Sequence, residues 1–239
     1  GLWAAFFGLL FLAAWQAYTV LTGVNHLLLP SPMKIAVFLV ENPWTFFRNS
    51  GTTLSSILIG FAAGSLIGLC LGVLMNRFRV FQAGLYPWLV ASQMVPVAAI
   101  APILVLWFGF TLLPKVIVVA LICFFPVAVN TVDGLRSVDT EMVRMMKTFG
   151  ASRWKILRTV SIPTALPNIF SGLRVAIALS VVAAVFGEWV GSNSGLGYLM
   201  LSFNNRMNTI GLFASVAVLA LQGILLFGLV GLLERTVLP

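Results

Sequence analysis

The chain has 239 residues, of which 60% are hydrophobic and 8% charged, whereas a water-soluble domain carries about a quarter charged residues. An ordinary soluble globule is excluded, because there are too few charges to cover a core of this size. Uncharged apolar runs of bilayer-spanning length, about 20 residues, recur to the C-terminus, so one signal segment does not account for the bias. The net charge of +8 is assigned to membrane orientation rather than to nucleic acid.

In chain order, the first apolar run covers Leu2 to Leu21. The segment from Asn25 to Gly51 follows, with Leu29-Pro30-Ser31-Pro32 and a short amphipathic stretch, Met33 to Val40, expected to lie along the outer surface. His26 has no acidic or cysteine companion nearby and reads as an interfacial polar residue rather than a metal ligand or base. The second run, Thr52 to Met75, repeats glycine at Gly60, Gly64, Gly68 and Gly72. This four-residue spacing puts all four on one helical face, a device for close backbone packing or for lining a pathway.

The third run, Val80 to Leu113, is too long for one straight helix and contains Pro87, Pro96 and Pro102, so it predicts a kinked or broken span. Ser92-Gln93-Met94-Val95-Pro96 sets a polar pair beside a proline. Gln93 and Met94 are therefore gate candidates, with ordinary packing around a kink as the alternative. Runs four to six cover Val116 to Val132, Ala165 to Val190 and Thr209 to Leu233. Cys70 and Cys123 lie inside apolar runs without metal-binding spacing and are expected to be buried hydrophobes.

Six spans put both ends on one side. Arg77, Arg79, Arg136, Arg144, Lys147, Arg153, Lys155, Arg158 and Arg235 then share that side, against Lys34, Arg48, Lys115 and Arg206 on the other. The side rich in basic residues is cytoplasmic. The first residue is Gly1 rather than Met, so the charges of any preceding segment do not enter this count.

No GxxxxGK[ST] loop is present to cradle nucleotide phosphates, and no HExxH, GxSxG or paired intramembrane carboxylates. The most informative stretch is the cytoplasmic loop of about Asp133 to Pro163. Met142, Val143, Met145, Met146 and Phe149 alternate with Glu141, Arg144 and Lys147, and Gly150 interrupts the pattern before Ser152 to Val160. That predicts helix, turn, helix. Positive charge alone would orient the loop; a methionine and phenylalanine face suits a helix entering a partner's groove.

Here the chain resembles a known family. Cytoplasmic loops of binding-protein-dependent permeases carry E-A-A, three residues, G, nine residues, I-x-L-P, and Gly150 stands nine residues before Val160-Ser161-Ile162-Pro163. Over nearly its full length the chain is similar to the nitrate, sulfonate, taurine and thiamine-precursor branch. The shared segments are Leu29-Pro30-Ser31-Pro32, Trp107-Phe108-Gly109, Phe125-Pro126 with Asn130-Thr131, Gly150-Ala151-Ser152, Ala165-Leu166-Pro167, Gly172-Leu173-Arg174 and Gly195-Leu196-Gly197-Tyr198. It departs at E-A-A, where Arg144, Met145 and Met146 stand, with Glu141 one turn earlier as a partial substitute.

The resemblance implies an all-α membrane protein of about six spans, a type I importer permease in the bacterial cytoplasmic (inner) membrane, forming one domain over residues 1–239. It also implies a second permease copy, two cytoplasmic ATPase subunits that hold ATP and Mg, and an extracytoplasmic solute-binding protein. Glu141, Arg144, Met145, Met146, Phe149, Gly150, Ala151 and Pro163 are the expected coupling residues. A small polar solute would cross by alternating access, and oxoanions, sulfonates and thiamine-precursor heterocycles all remain open. A self-sufficient secondary transporter or channel is the competing reading, although it should show coupling carboxylates or an inverted repeat.

Two charges interrupt the fifth run. Arg174 and Glu188 are fourteen residues apart and project from nearly the same face, close to opposite ends of the span. Arg174 is either a snorkelling anchor or a pathway or interhelical group, and Glu188 serves an outer gate or packing. The outer loop Gly191 to Asn208, with Ser192, Asn193, Ser194, Asn204 and Asn205 around Gly195-Leu196-Gly197, is expected to re-enter the membrane or cap its mouth.

Overall fold

A computed structural model describes residues 2–25 and 27–238; His26 lies outside the described residues. Among these residues the chain is helical and contains no strand. Helix α1 (Leu2–Thr22) leads to the short surface helix α2 (Pro32–Glu41) and the long α3 (Pro43–Arg77). Then follow α4 (Arg79–Ser92), α5 (Val97–Phe108), α6 (Leu112–Arg136) and α7 (Thr140–Thr148). The chain ends with α8 (Arg153–Ile156), a π-helical turn (Leu157–Ser161), α9 (Ile162–Gly191), α10 (Leu196–Asn205) and α11 (Thr209–Val237).

Four of these stretches are long and apolar enough to cross a membrane: Pro43–Arg77, Leu112–Arg136, Arg153–Gly191 and Thr209–Val237. The expected broken span is α4 with α5, which meet at 91°. The glycines of α3 decide whether this pair crosses or turns back. A Cβ on Gly60, Gly64, Gly68 or Gly72 would come within 2.5–2.6 Å of Val119, Ala120, Phe124 and Thr131 in turn. Numbers rise together along both helices, so α3 and α6 run parallel. Parallel neighbours require the chain between them to return across the layer, and α4 with α5 is that return.

The remaining helices alternate. Gly134 lies against Ala165, Gly172 against Asn130 and Gly187 against Lys115, so α9 is antiparallel to α6. Gly223 meets Val181 and Gly231 meets Arg174, so α11 runs back along α9. Helix α1 joins the bundle through Trp15, whose ring lies 6.1 Å from that of Phe213. Four long spans, the bent α4–α5 pair and the shorter apolar α1 thus make up the bundle among the described residues.

The core is aliphatic and small-residue rich: Ile57, Val118, Val119, Cys123, Val127, Ala176, Ile177, Ala183 and Ala184 form one cluster between α3, α6 and α9. Trp3, Phe7, Leu21, Leu106 and Trp107 point outward. This apolar exterior is the reverse of a soluble protein's and fits lipid as the surrounding solvent.

Three expectations change. Helix α3 starts at Pro43, earlier than the apolar run at Thr52, because Pro43 supplies a first-turn residue that the missing N–H favours. The second helix of the cytoplasmic loop is not separate: Arg153–Gly191 forms one stretch, and the π-helical turn Leu157–Ser161 absorbs the ladder defect at Pro163. Cys70 is exposed rather than buried, whereas Cys123 is buried with its thiol directed at the Ala176 carbonyl, 3.4 Å away. On α3, Cys70 lies off the glycine face that meets α6.

Candidate functional site

At the outer end of the bundle, α9 delivers Glu188 into a fully buried position. The Thr53 hydroxyl on α3 donates to Glu188 Oε1 at 2.8 Å, and the Gly197 N–H donates to Oε2 at 2.7 Å. Thr53 in turn accepts the Leu196 N–H at 2.8 Å, and Asn49 Oδ1 accepts the Gly195 N–H at 2.7 Å. Three consecutive amides at the start of α10 are thus satisfied by side chains of α3 and α9. Helix starts leave their first N–H groups unpaired and favour negative charge. Glu188 supplies acceptors at this helix start.

Glycine is needed at this turn for two reasons. Gly195 has φ of +115°, a conformation that side chains disfavour, and a Cβ there would overlap the Glu188 carboxylate. Beside it, Lys115 is buried and donates to Ser192 Oγ at 2.7 Å, while the Ser192 hydroxyl donates to the Ser194 carbonyl. Lys115 therefore does more than contribute an outer charge: it fixes the α9–α10 connection. Helix α10 packs against α9 and α11, and at the Gly211 contact the ring of Phe203 would meet an added Cβ at 2.7 Å.

Arg174, on the same helix as Glu188, reaches a different neighbour. Its guanidinium pairs with Glu234 on α11 at 2.6 Å and lies 5.8 Å from the ring of Phe227. Both Arg174 and Glu188 thus tie α9 to other helices, at opposite ends of the bundle.

Gln93 and Met94 sit at the α4–α5 break. The Gln93 N–H donates to the Val90 carbonyl and the Met94 N–H to that of Ala91, tightening the last turn, and both side chains are exposed. Pro96 starts α5 as an extended N-cap, which makes the corner.

The cytoplasmic end differs in kind. Asp139 caps α7 by accepting the Glu141 N–H at 2.8 Å. The helix stops at Gly150, φ +76°, where the Gly150 N–H bonds the Lys147 carbonyl and the Ala151 N–H that of Met146. This is a Schellman end, and the left-handed residue explains the glycine. No residue of α7 is buried. Met142, Met145 and Phe149, spaced three and four apart, form one exposed apolar face, and Trp154 stands exposed nearby. Glu141 and Arg144 are also exposed, Ala151 and Met146 are half-buried, and Pro163 is exposed on the following helix. The outward apolar face is thus Met142, Met145 and Phe149, with Met146 turned partly inward.

The comparisons with known proteins place the chain in a family. A family model described as binding-protein-dependent transport system inner membrane component matches residues 56–239. The chain belongs to this family. It is a multi-pass inner-membrane component of a transport system and not an enzyme. A formylaminopyrimidine transport permease protein, ThiX, of Halalkalibacterium halodurans is 38% identical, covering 98% of this chain and 93% of the relative. A riboflavin transport system permease protein, RibX, of Chloroflexus aurantiacus is 40% identical, covering 95% and 85%. The putative aliphatic sulfonates transport permease protein SsuC of Bacillus subtilis is 31% identical, covering 95% and 83%. In fold, an inward-facing methionine ABC transporter structure, MetNI, matches with a TM-score of 0.68 at 20% identity, covering 81% of this chain and 96% of that one.

Proline and glycine spacing left the partners of Glu188 unseen. Thr53, Asn49 and Lys115 are far from it in sequence, and no local pattern marked them.

Proposed function

We propose that this chain is the membrane half of an ATP-driven importer, in which two permease copies span the bilayer, two cytoplasmic ATPase subunits bind ATP and Mg, and an external binding protein delivers the solute. The observation that carries this reading is α7. An exposed, capped helix with an apolar face on the cytoplasmic side has no use within the chain, and its surface suits insertion into a partner groove. A self-sufficient carrier or channel would gain nothing from it.

Glu141, Arg144, Met145 and Phe149 provide the contact, with Gly150 and Ala151 closing the helix. Because α8, the π-helical turn and α9 are contiguous, displacement of the loop is transmitted along α9. The far end of α9 holds Glu188 and through it α10. ATP-driven closure of the partner subunits therefore moves the outer mouth through one rigid element, as alternating access requires. Gln93 and Met94, at the corner of the broken span, are the gate residues of this reading.

For the solute we favour a small heterocycle of the thiamine-precursor type, since the relatives at 38% and 40% identity are named for formylaminopyrimidine and riboflavin, against 31% for an aliphatic sulfonate relative. The test is reconstitution with the ATPase and binding protein in proteoliposomes, supplying formylaminopyrimidine, riboflavin, taurine and nitrate in turn. Stimulated ATP hydrolysis and uptake with a pyrimidine alone support the assignment. Stimulation only by taurine or nitrate overturns the solute class, and uptake without ATP overturns the importer reading.

A further inference from the structure

The half of α11 nearer Arg235 carries a groove. It has a volume of about 610 Å³ and runs between Arg174 on α9 and the α11 face that bears Ile224, Leu225, Leu229 and Leu232. Gly228 and Gly231 form its floor: a Cβ on Gly228 would meet nothing within 4 Å, and one on Gly231 would stand 3.2 Å from the Arg174 guanidinium. The four aliphatic side chains are exposed.

Charge collects at the lower end. Arg174 and Arg235 both line the groove, and among the described residues only Glu234 opposes them there, paired to Arg174. The Arg174 Nε is buried without an acceptor, and Arg235 is exposed. An apolar trough within a spanning helix, closed by a net positive charge at the cytoplasmic interface, is complementary to one amphiphile. We propose that this groove holds an anionic glycerophospholipid of the inner leaflet, with an acyl chain along Ile224 to Leu232 and the phosphate against the exposed Arg235, beside the Arg174–Glu234 pair. Basic sites between helices on the cytoplasmic face recognise such headgroups.

The test uses the intact importer reconstituted in vesicles of equal phosphatidylglycerol and phosphatidylcholine, released into the gas phase and weighed with its retained lipids. The wild type should keep phosphatidylglycerol in preference to phosphatidylcholine. Arg235→Gln should lower that retention about fivefold, the worth of one basic residue at an anionic surface. Gly228→Leu fills open space, so the complex should assemble with its ATPase as before while phosphatidylglycerol retention falls. Arg206→Gln, at the outer end, should change nothing. Soluble glycerol phosphate should not displace the lipid; displacement would show a free phosphate-ester site and overturn the lipid assignment. Equal retention of both lipids, no retained lipid because a second copy covers this face, or unchanged retention in either variant would likewise overturn it.

Discussion

The two ends of the bundle solve opposite problems. At the outer end, charge and polarity are enclosed: Glu188 is fully buried, and both of its oxygens, the Thr53 hydroxyl and three α10 amides are paired inside the chain. At the cytoplasmic end, α7 is closed by its own caps yet leaves Met142, Met145 and Phe149 exposed. A region that pairs every group internally is finished by folding. A region that spends apolar surface on water is finished by assembly. The difference teaches that substitutions at the outer end should act on the permease itself, and those on α7 on its communication with a partner.

That comparison can be broken or sharpened by substitutions of decreasing effect on the folded chain. Gly68→Leu should be the most damaging, since even a Cβ would lie 2.5 Å from the Phe124 carbonyl oxygen and a backbone cannot yield as a flexible side chain does. A cost of about 3 kcal/mol, the upper end for over-packing, would appear as loss of membrane-inserted protein and complex yield. Normal yield with changed solute preference would show that the glycine face lines a pathway.

Glu188→Ala comes next. It removes the acceptor for Thr53 and Gly197 while leaving both buried, and a buried group left without its partner costs about 1–3 kcal/mol. Thermal unfolding of the solubilised complex should shift down, and protease cleavage between Gly191 and Asn208 should quicken. Unchanged cleavage would mean that α10 is held by packing on α9 and α11 alone.

Gly150→Val should cost less, about 1–2 kcal/mol, because the penalty is the left-handed backbone and no atom lies within 4 Å of the added Cβ. The complex should therefore form with reduced coupling, read as a lower ratio of solute uptake to ATP hydrolysed. Gly150→Asn should recover most of the loss, since asparagine tolerates this conformation better.

Much of this was legible in the chain. Apolar runs marked the long helices, though α3 and α9 extend beyond them, three prolines marked the third run as kinked or broken, and the four-residue glycine spacing marked the face of α3 that meets α6. Local signals did well because each depends on neighbours within two helical turns. What escaped was long-range or contextual. The Glu188–Thr53 bond joins residues 135 positions apart, and the Arg174–Glu234 pair joins two helices whose facing is not written in either. Pro163 pointed to a helix boundary, yet a π-helical turn carries the helix through it, since tertiary packing on both sides rewards continuity. Lys115 entered the orientation count as an outer charge, and its burial against Ser192 had no local mark.

The smallest effect on folding and the largest on function should fall on the exposed face of α7. Met145→Asp with Phe149→Asp alters two exposed residues, so membrane insertion and thermal stability of the permease should stay at the wild-type level. The decisive measurement is ATP hydrolysis by the reconstituted importer with and without loaded binding protein. If α7 is the coupling contact, stimulation and solute uptake are both lost in this variant while the unstimulated permease remains folded in the membrane. Wild-type stimulation and uptake by the variant would contradict that role and leave the cytoplasmic end without its partner.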